Sequence, residues 1–487
     1  MMDAVWRVVL WLNIVVLGYF LLLNLTYLAA SIAAFGVLRH HVRRVRALDL
    51  DDLLSSLGAP PITMIAPAYN EEATCVESVR SLLTLQYPAF DVIVVNDGSA
   101  DGTLPRLIEA FDLVATDRLA SGTIATAEVR AVYTSQSYRN LWVIDKANGG
   151  KADALNAGLN RCRTPLFCAI DADSILDRDA LQRIVRPFLE DRTTVAAGGV
   201  IRIANGCVIR DGSVVEVGMP KSLLAQLQTL EYLRAFLAGR VGWQAAGSTL
   251  IISGAFGTFR RDLVVAVGGY DTETVGEDME LVVRLHRYCR DQGIPYRVAF
   301  VPDPAAWTEC PTTFKVLKRQ RDRWQRGLIE TLIRHRSMMF RRRYGRIGWV
   351  AYPYFVFLEM LGPVIEVGGY LAFAATVLSG RASTAYFAAF LFVAVFLGAA
   401  LSVAAVVLEE MSFHRYPKSK DLARLIWLGV FESFGYRQLT SLWRLMGTWS
   451  AIRGRRGWGK MDRVGFAGTP AATALDPRPP APGRSKS

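Results

Sequence analysis

The chain has 487 residues, 52% of them hydrophobic and 21% charged, with a formal charge of +12. That length allows two or three domains, and a charged fraction below the ~25% of ordinary soluble proteins argues against a purely soluble or a largely disordered chain. The six cysteines are far apart and include no CxxC pair, so they suggest neither a zinc site nor a disulfide framework and read as reduced thiols of a cytosolic domain.

Val8 to Leu38 carries no charge and as a helix would be about 46 Å long, more than the ~20 residues that span a bilayer. It runs directly into Arg39, Arg43, Arg44 and Arg46, which place its C-terminal end in the cytoplasm by the positive-inside rule. From about Pro60 to Arg336, short apolar runs alternate with helical patterns. Strands are expected at Ile62 to Ala66, Val92 to Asn96, Leu141 to Ile144 and Leu166 to Ile170. Helices are expected at Ala73 to Leu85, Leu104 to Phe111, Lys151 to Arg161 and Ala180 to Leu189. This is a doubly wound α/β pattern, whose ligands bind beyond the C-terminal ends of the strands.

The polar clusters after those strands are the candidates for chemistry. The first strand leads into Tyr69-Asn70-Glu71-Glu72 and the second into Asp97-Gly98-Ser99; Asp97 suits a base or ribose, although a capped turn accounts for the same residues. The third leads into Gly149-Gly150-Lys151, a turn opening a helix that suits a phosphate without having P-loop spacing. The fourth ends at Asp171-Ala172-Asp173, whose carboxylates at i and i+2 can both address one divalent cation, or can cap a helix. Glu277-Asp278 opens the next helix, either as dipole partners or as a carboxylate able to take a proton from a sugar hydroxyl. In Gln320-Arg321-Asp322-Arg323-Trp324, Gln320 shares a helix face with Arg323 and Trp324. Arginine holds a diphosphate bidentately and Trp offers a flat face to a sugar, but a basic interfacial helix has the same composition. The run Leu223, Leu227, Leu230 and Leu237 reads equally as an interfacial helix or as core.

Beyond these motifs, Lys315 to Arg346 holds 12 Lys or Arg against two acids. Because it abuts a membrane segment, anionic lipid headgroups suit it better than nucleic acid. Gly348 to Ser379, apolar apart from Glu359 and Glu366, and the uncharged Ala382 to Leu408 form an expected transmembrane hairpin turned at Gly380-Arg381. Leu425 to Met446 carries Glu432, Arg437, Gln438 and Arg444 and is either a span with a polar face or an interfacial helix. The Pro-, Ala- and Gly-rich tail from Phe466 is expected to be disordered.

Taken in this order, the motifs between Pro61 and Trp324 resemble the membrane-bound family 2 glycosyltransferases, the group of cellulose, chitin, hyaluronan and poly-N-acetylglucosamine synthases, the last branch being most similar. The resemblance implies an α/β GT-A domain over 48–336, flanked by a transmembrane segment over 1–47 and by transmembrane or interfacial helices over 337–465. It implies a UDP-sugar donor, with UDP-N-acetylglucosamine foremost, and Mg²⁺ or Mn²⁺ as cofactor. Tyr69, Glu71 and Asp97 would hold uridine, with Lys151 beside the nucleotide. Asp171 would contact UDP, Asp173 would bind the metal, and Asp278 would be the base. Gln320, Arg323 and Trp324 match the QxxRW motif. The implied partners are the donor, a growing polysaccharide or a lipid acceptor, and membrane lipids, with no nucleic acid; the implied place is the inner membrane with the catalytic domain cytoplasmic. Single transfer to a lipid, and a catalytically dead transporter or scaffold, are the alternatives.

Overall fold

The computed structural model describes residues 2–47, 58–117, 122, 124–171, 174–210, 212–416 and 418–455. Asp173 and the tail from Phe466 lie outside the described residues.

Helix α1 (Met2–Ala47) leads into β1 (Ile62–Ala68), α2 (Cys75–Leu83), β2 (Phe90–Asp97), α3 (Thr103–Phe111), β3 (Leu113–Ala115), β4 (Val129–Ser135) and β5 (Leu141–Lys146). Then come α4 (Lys151–Leu159), β6 (Leu166–Ile170), β7 (Ser174–Leu176), α5 (Ala180–Glu190) and β8 (Thr194–Ile203), followed by a separate hairpin of β9 (Val208–Arg210) and β10 (Ser213–Glu216). Ten strands form one sheet in the order β3-β4-β5-β2-β1-β6-β11-β8-β12-β7, where β11 is Phe256–Arg260 and β12 is Arg297–Thr308. Its centre, β5-β2-β1-β6, is parallel, and β11 runs antiparallel to both of its neighbours. Every residue of β6 is buried, as expected where helices cover both faces of a parallel sheet. The four expected strands are present, three of them longer by two or three residues. Helix α2 begins at Cys75 rather than Ala73, because Thr74 and Cys75 both donate to the Glu71 carbonyl in a turn.

After the hairpin, α6 (Leu223–Tyr232) continues through a wider, π-type α7 (Leu233–Arg240) into α8 (Val241–Ala245). Leu230 and Leu237 are fully buried and Leu223 is exposed, so this segment is largely core, wedged between the sheet and the membrane helices. There follow α9 (Arg261–Ala266), α10 (Glu277–Asp291) and α11 (Phe314–Arg334). The basic stretch divides: Arg321 and Arg326 are buried against Glu231 and Asp322, whereas Arg341 and Arg342 are exposed at the foot of the next membrane helix.

Among the described residues, two helices are long and apolar enough to cross a membrane, Trp6–Arg44 within α1 and α14 (Thr384–Ser412), with a third if α12 (Ile347–Met360) and α13 (Gly362–Leu378), bent by 43°, make one span. The bend lies just before Pro363, where a missing amide hydrogen breaks the ladder. Gly380 turns the expected hairpin with a left-handed φ of 67°. Leu425 to Met446 is not one continuous helix. It breaks into α15 (Ser419–Phe431) and α16 (Tyr436–Ile452) at Gly435, whose φ of 104° only glycine adopts readily. A buried Arg202–Glu409 pair at 2.5 Å ties β8 to α14.

Candidate active site

The loops after β1 and β2 brace one another at the mouth of the sheet. Asn70, in the left-handed region, accepts at Oδ1 from the Ala100 amide (2.9 Å) and donates its own amide to Ser99 Oγ (3.0 Å). The Glu71 amide donates to Thr103 Oγ1 (2.9 Å), and Glu71 Oε2 accepts from Thr74 Oγ1 (2.8 Å). Tyr69 is left 52% exposed at the opening. Asp97 is buried, and its Oδ1 accepts from Lys146 Nζ (2.6 Å) and the Gly149 amide (3.0 Å), its Oδ2 from the Gly150 amide (2.8 Å). The residue expected to meet uridine therefore also fixes the Gly-Gly turn that launches α4. Gly98 is required beside it, since a Cβ there would lie 2.7 Å from the Asn148 nitrogen at a φ of 67°.

Lys151 joins the third motif to the fourth and to the start of α10. Its Nζ pairs with Asp171 Oδ1 at 2.5 Å and with Glu277 Oε1 at 3.2 Å. Burial opposes the ammonium, but Asp171 and then Glu277 more than offset it, so Lys151 holds its proton more tightly than a free lysine. Glu277 shifts upward because burial outweighs the attraction of Lys151. Next to it Asp278 is turned across the loop before β11, with Oδ2 accepting from the Gly254 amide at 3.0 Å. Gly254 is confined by this arrangement: an added Cβ would be 2.8 Å from Lys151 Nζ and 3.5 Å from Asp278 Oδ2.

Helix α11 supplies the opposite wall and crosses the start of α10 so closely that a Cβ on Gly327 would lie 2.8 Å from Gly276 Cα. Gln320 is buried with no partner on Oε1, and Trp324 is 43% exposed under the Arg321 guanidinium, 4.4 Å away. Arg321 itself pairs with Glu231 at 2.8 Å, and Gln325 reaches the Met360 carbonyl at 3.0 Å and Arg444 Nε at 3.0 Å.

One cavity of about 1300 Å³ joins these groups. Tyr69, Glu71, Asp97, Lys151, Asp171, Asp278, Gln320, Arg323 and Trp324 all line it, and so do Tyr27, Glu359, Glu366 and Tyr370 of the long apolar helices and Arg444 of α16. Every described residue of the expected site thus faces one space. No group of three or more potential metal ligands occurs among the described residues. The carboxylates at the sheet end of the cavity are hard oxygen donors, the ligand type that Mg²⁺ and Mn²⁺ take.

The sequence profile of the family described as "Glycosyltransferase like family 2" matches residues 60–327, from two residues before β1 into α11. The chain belongs to that family. Over 274 residues it is 30% identical to the poly-beta-1,6-N-acetyl-D-glucosamine synthase of Staphylococcus aureus (strain COL) and 28% identical to the synthase of that name from Staphylococcus epidermidis. Each alignment covers 56% of this chain and 56% of the relative, so the match spans little more than half the length of these curated proteins. Among solved structures, the mannosyltransferase PcManGT of Pyrobaculum calidifontis, in complex with GDP-Man and Mn²⁺, aligns over 85% of this chain and 99% of its own at 19% identity and a TM-score of 0.48.

Sequence reasoning passed over three groups at this site. Glu277 was read only as a first-turn acid beside Asp278, and its pairing with Lys151 depends on a contact 126 residues away in sequence. Arg240 lines the cavity with no signal in its local sequence. Glu359 and Glu366 did carry a signal, since acids inside an apolar segment default to a functional surface.

Proposed function

We propose that the protein is an inverting, membrane-bound glycosyltransferase that polymerises a UDP-sugar, with UDP-N-acetylglucosamine as donor. The observation that carries this is the single cavity running from the ends of the parallel strands past Asp278 and Trp324 to polar groups on the membrane helices. A single-transfer enzyme needs the first half of that space; an enzyme that keeps and passes on its product uses both.

On this reading Tyr69, Glu71 and Asp97 hold uridine, and Lys151 and Asp171 lie along the diphosphate. Asp171 and Asp173 would hold Mg²⁺ or Mn²⁺, which when bound neutralises charge on the leaving diphosphate. Asp278 takes the proton from the acceptor hydroxyl as that oxygen bonds to the anomeric carbon and the bond from that carbon to the diphosphate breaks, inverting the centre. Its carboxylate is held by the Gly254 amide, which fixes its direction. Arg323 attends the diphosphate, the free Gln320 Oε1 faces the acceptor, and Trp324 seats the acceptor ring. The arginines after Leu38 place this chemistry on the cytoplasmic face, where donor sugars are available.

The test is to incubate purified protein in detergent with a panel of UDP-sugars and Mg²⁺ or Mn²⁺, following UDP release and product mass. Polymer from one donor is the expected result. A product of acceptor plus one sugar would favour transfer to a lipid, and no UDP release from any donor would refute the reading.

A further inference from the structure

One charged group in the cavity has no role in the reaction just described. Arg240 ends the π-type helix α7, where its guanidinium carbon lies 3.9 Å from the centre of the Phe236 ring. It forms no hydrogen bond or ion pair among the described residues, and its Nη1 is buried without a partner. The other cavity-lining arginines of this wall are matched: Arg321 by Glu231, Arg234 by Glu432, Arg437 by Glu432 and Arg444 by Glu359. A partly buried guanidinium with an unpartnered donor gains free energy from a ligand that supplies the missing acceptor.

The position and shape of the group narrow that ligand. Helix α7 packs on α1 and α14, so Arg240 approaches Asp278 from the membrane side, opposite the strand ends where Lys151 and Asp171 would meet the diphosphate. A guanidinium offers five donors and no acceptor, and this one lies over the Phe236 ring, with both residues lining the cavity. The adjoining ring favours an apolar substituent. An acceptor sugar with an acylamino group combines a carbonyl oxygen for the guanidinium with a methyl for the ring.

We propose that Arg240 is a specificity-determining residue of the acceptor site, donating hydrogen bonds to the amide carbonyl of an N-acylated acceptor sugar while Phe236 packs on the acyl methyl. This rests on the transfer reaction proposed above.

The test uses the full chain in detergent with UDP-N-acetylglucosamine and two soluble acceptors, an N-acetylated oligosaccharide and its de-N-acetylated counterpart. Loss of a charge-assisted hydrogen bond predicts that Arg240→Gln raises KM for the N-acetylated acceptor on the order of 10- to 100-fold. It should also remove the preference over the free amine, with donor KM within about twofold of wild type by the same argument. Arg240→Lys, which keeps the charge but not the fork, should lose part of that preference. If Arg240→Gln no longer binds UDP, and so has not folded, Arg240→Lys decides by the same readout. Unchanged acceptor preference would overturn the proposal, as would a loss confined to donor KM, which assigns Arg240 to the diphosphate. A displaced pH–rate profile at constant acceptor KM, which makes it the counter-ion of Asp278, would do so too. A wild type that releases no UDP refutes the reaction itself; a working wild type with equally discriminating variants refutes the inference alone.

Discussion

The crossing of α10 and α11 at Gly276 and Gly327 permits a quantitative test of whether the base and the QxxRW helix act as one unit. An alanine Cβ at position 327 would stand 2.8 Å from Gly276 Cα and 2.9 Å from its nitrogen. Carbon atoms rest at ~3.5 Å or more, so the two backbones must part by roughly 0.7 Å. Both neighbours are main chain and cannot swing aside. Overpacking of this kind costs ~1–3 kcal/mol, and replacing glycine inside a helix returns ~1 kcal/mol, leaving a net loss of ~0–2 kcal/mol. The protein should therefore fold with only a slightly lower Tm. Activity should respond more strongly: misplacing catalytic groups by ~1 Å costs ~10²-fold, and ~0.7 Å between Asp278 and Arg323 should cost on the order of 10- to 100-fold in kcat. UDP release at saturating donor, measured with Tm on the same samples, separates the two effects. Gly276→Ala should reproduce the kinetic loss from the other side of the contact. A Gly327→Ala enzyme that turns over at the wild-type rate would falsify the coupling of these helices to the chemistry.

Asp278→Asn should lower turnover by ~10²–10⁴-fold, the usual worth of a general base, while UDP binding measured by calorimetry stays intact; near-normal turnover would return the residue to capping the loop through Gly254. Exhaustive chelation should abolish UDP release and added Mn²⁺ or Mg²⁺ should restore it, whereas full activity in chelator would remove the metal from Asp171 and Asp173. His286 is buried between the Thr249 carbonyl and the Tyr296 hydroxyl, and burial lowers its pKa to about 4. A depressed histidine contributes stability that is complete above its unfolded value of ~6.5 and is lost as pH falls toward 4, at most roughly 3 kcal/mol. Tm should therefore drop between pH 7 and pH 5, and His286→Gln should flatten that drop; an unaltered slope in the variant would assign it to other groups.

What the sequence made legible follows from how local each signal is. The strands before Tyr69, Asp97 and Asp171 were readable because a parallel sheet buried on both faces demands unbroken apolar runs, and the turn residues after them are dictated by backbone geometry. Convergence of the motifs was readable from topology, since the C-terminal ends of parallel strands share one edge. Asp97 had two readings that its local sequence left open, base holder or turn cap. The structure gives it hydrogen bonds across 52 and 53 residues to Gly149 and Gly150, a span no local pattern encodes. The two antiparallel neighbours of β11 and the wedge of α6 to α8 were invisible for the same reason: leucines spaced for one helical face bury equally well against a sheet, a bilayer or another helix.

The segment Leu425 to Met446 resisted assignment because charge within an apolar stretch has two opposite energetic meanings. A charged side chain facing lipid costs ~2.5–3.5 kcal/mol even on insertion scales, which argues for a surface helix; paired within a bundle or wetted by a cavity, the same residue is tolerated at full depth. In the folded chain the charges of this segment and of its neighbours are paired. Glu432 accepts from Arg234, from Arg437 (2.5 Å) and from Ser402 Oγ (2.5 Å), Glu359 from Tyr354 (2.9 Å), Tyr27 (3.1 Å) and Arg444 (3.1 Å), and Glu366 from Tyr19 (3.1 Å) and Ser441. Buried ion pairs are an inefficient way to hold helices together, since apolar residues of equal volume commonly do as well or better. Most of these groups line the cavity, where Glu359 and Glu366 are accompanied by Arg437 and Arg444 among the hydroxyls of Tyr27, Tyr370, Thr440 and Ser441. A wall with many hydrogen-bonding groups but nearly balanced charge offers partners to an uncharged polyhydroxyl chain at every step and a net electrostatic hold at none. On the proposed polymerising reaction, that is the condition a passing saccharide would require, and it would give the polar residues of α13 and α16 a use that helix packing alone does not supply.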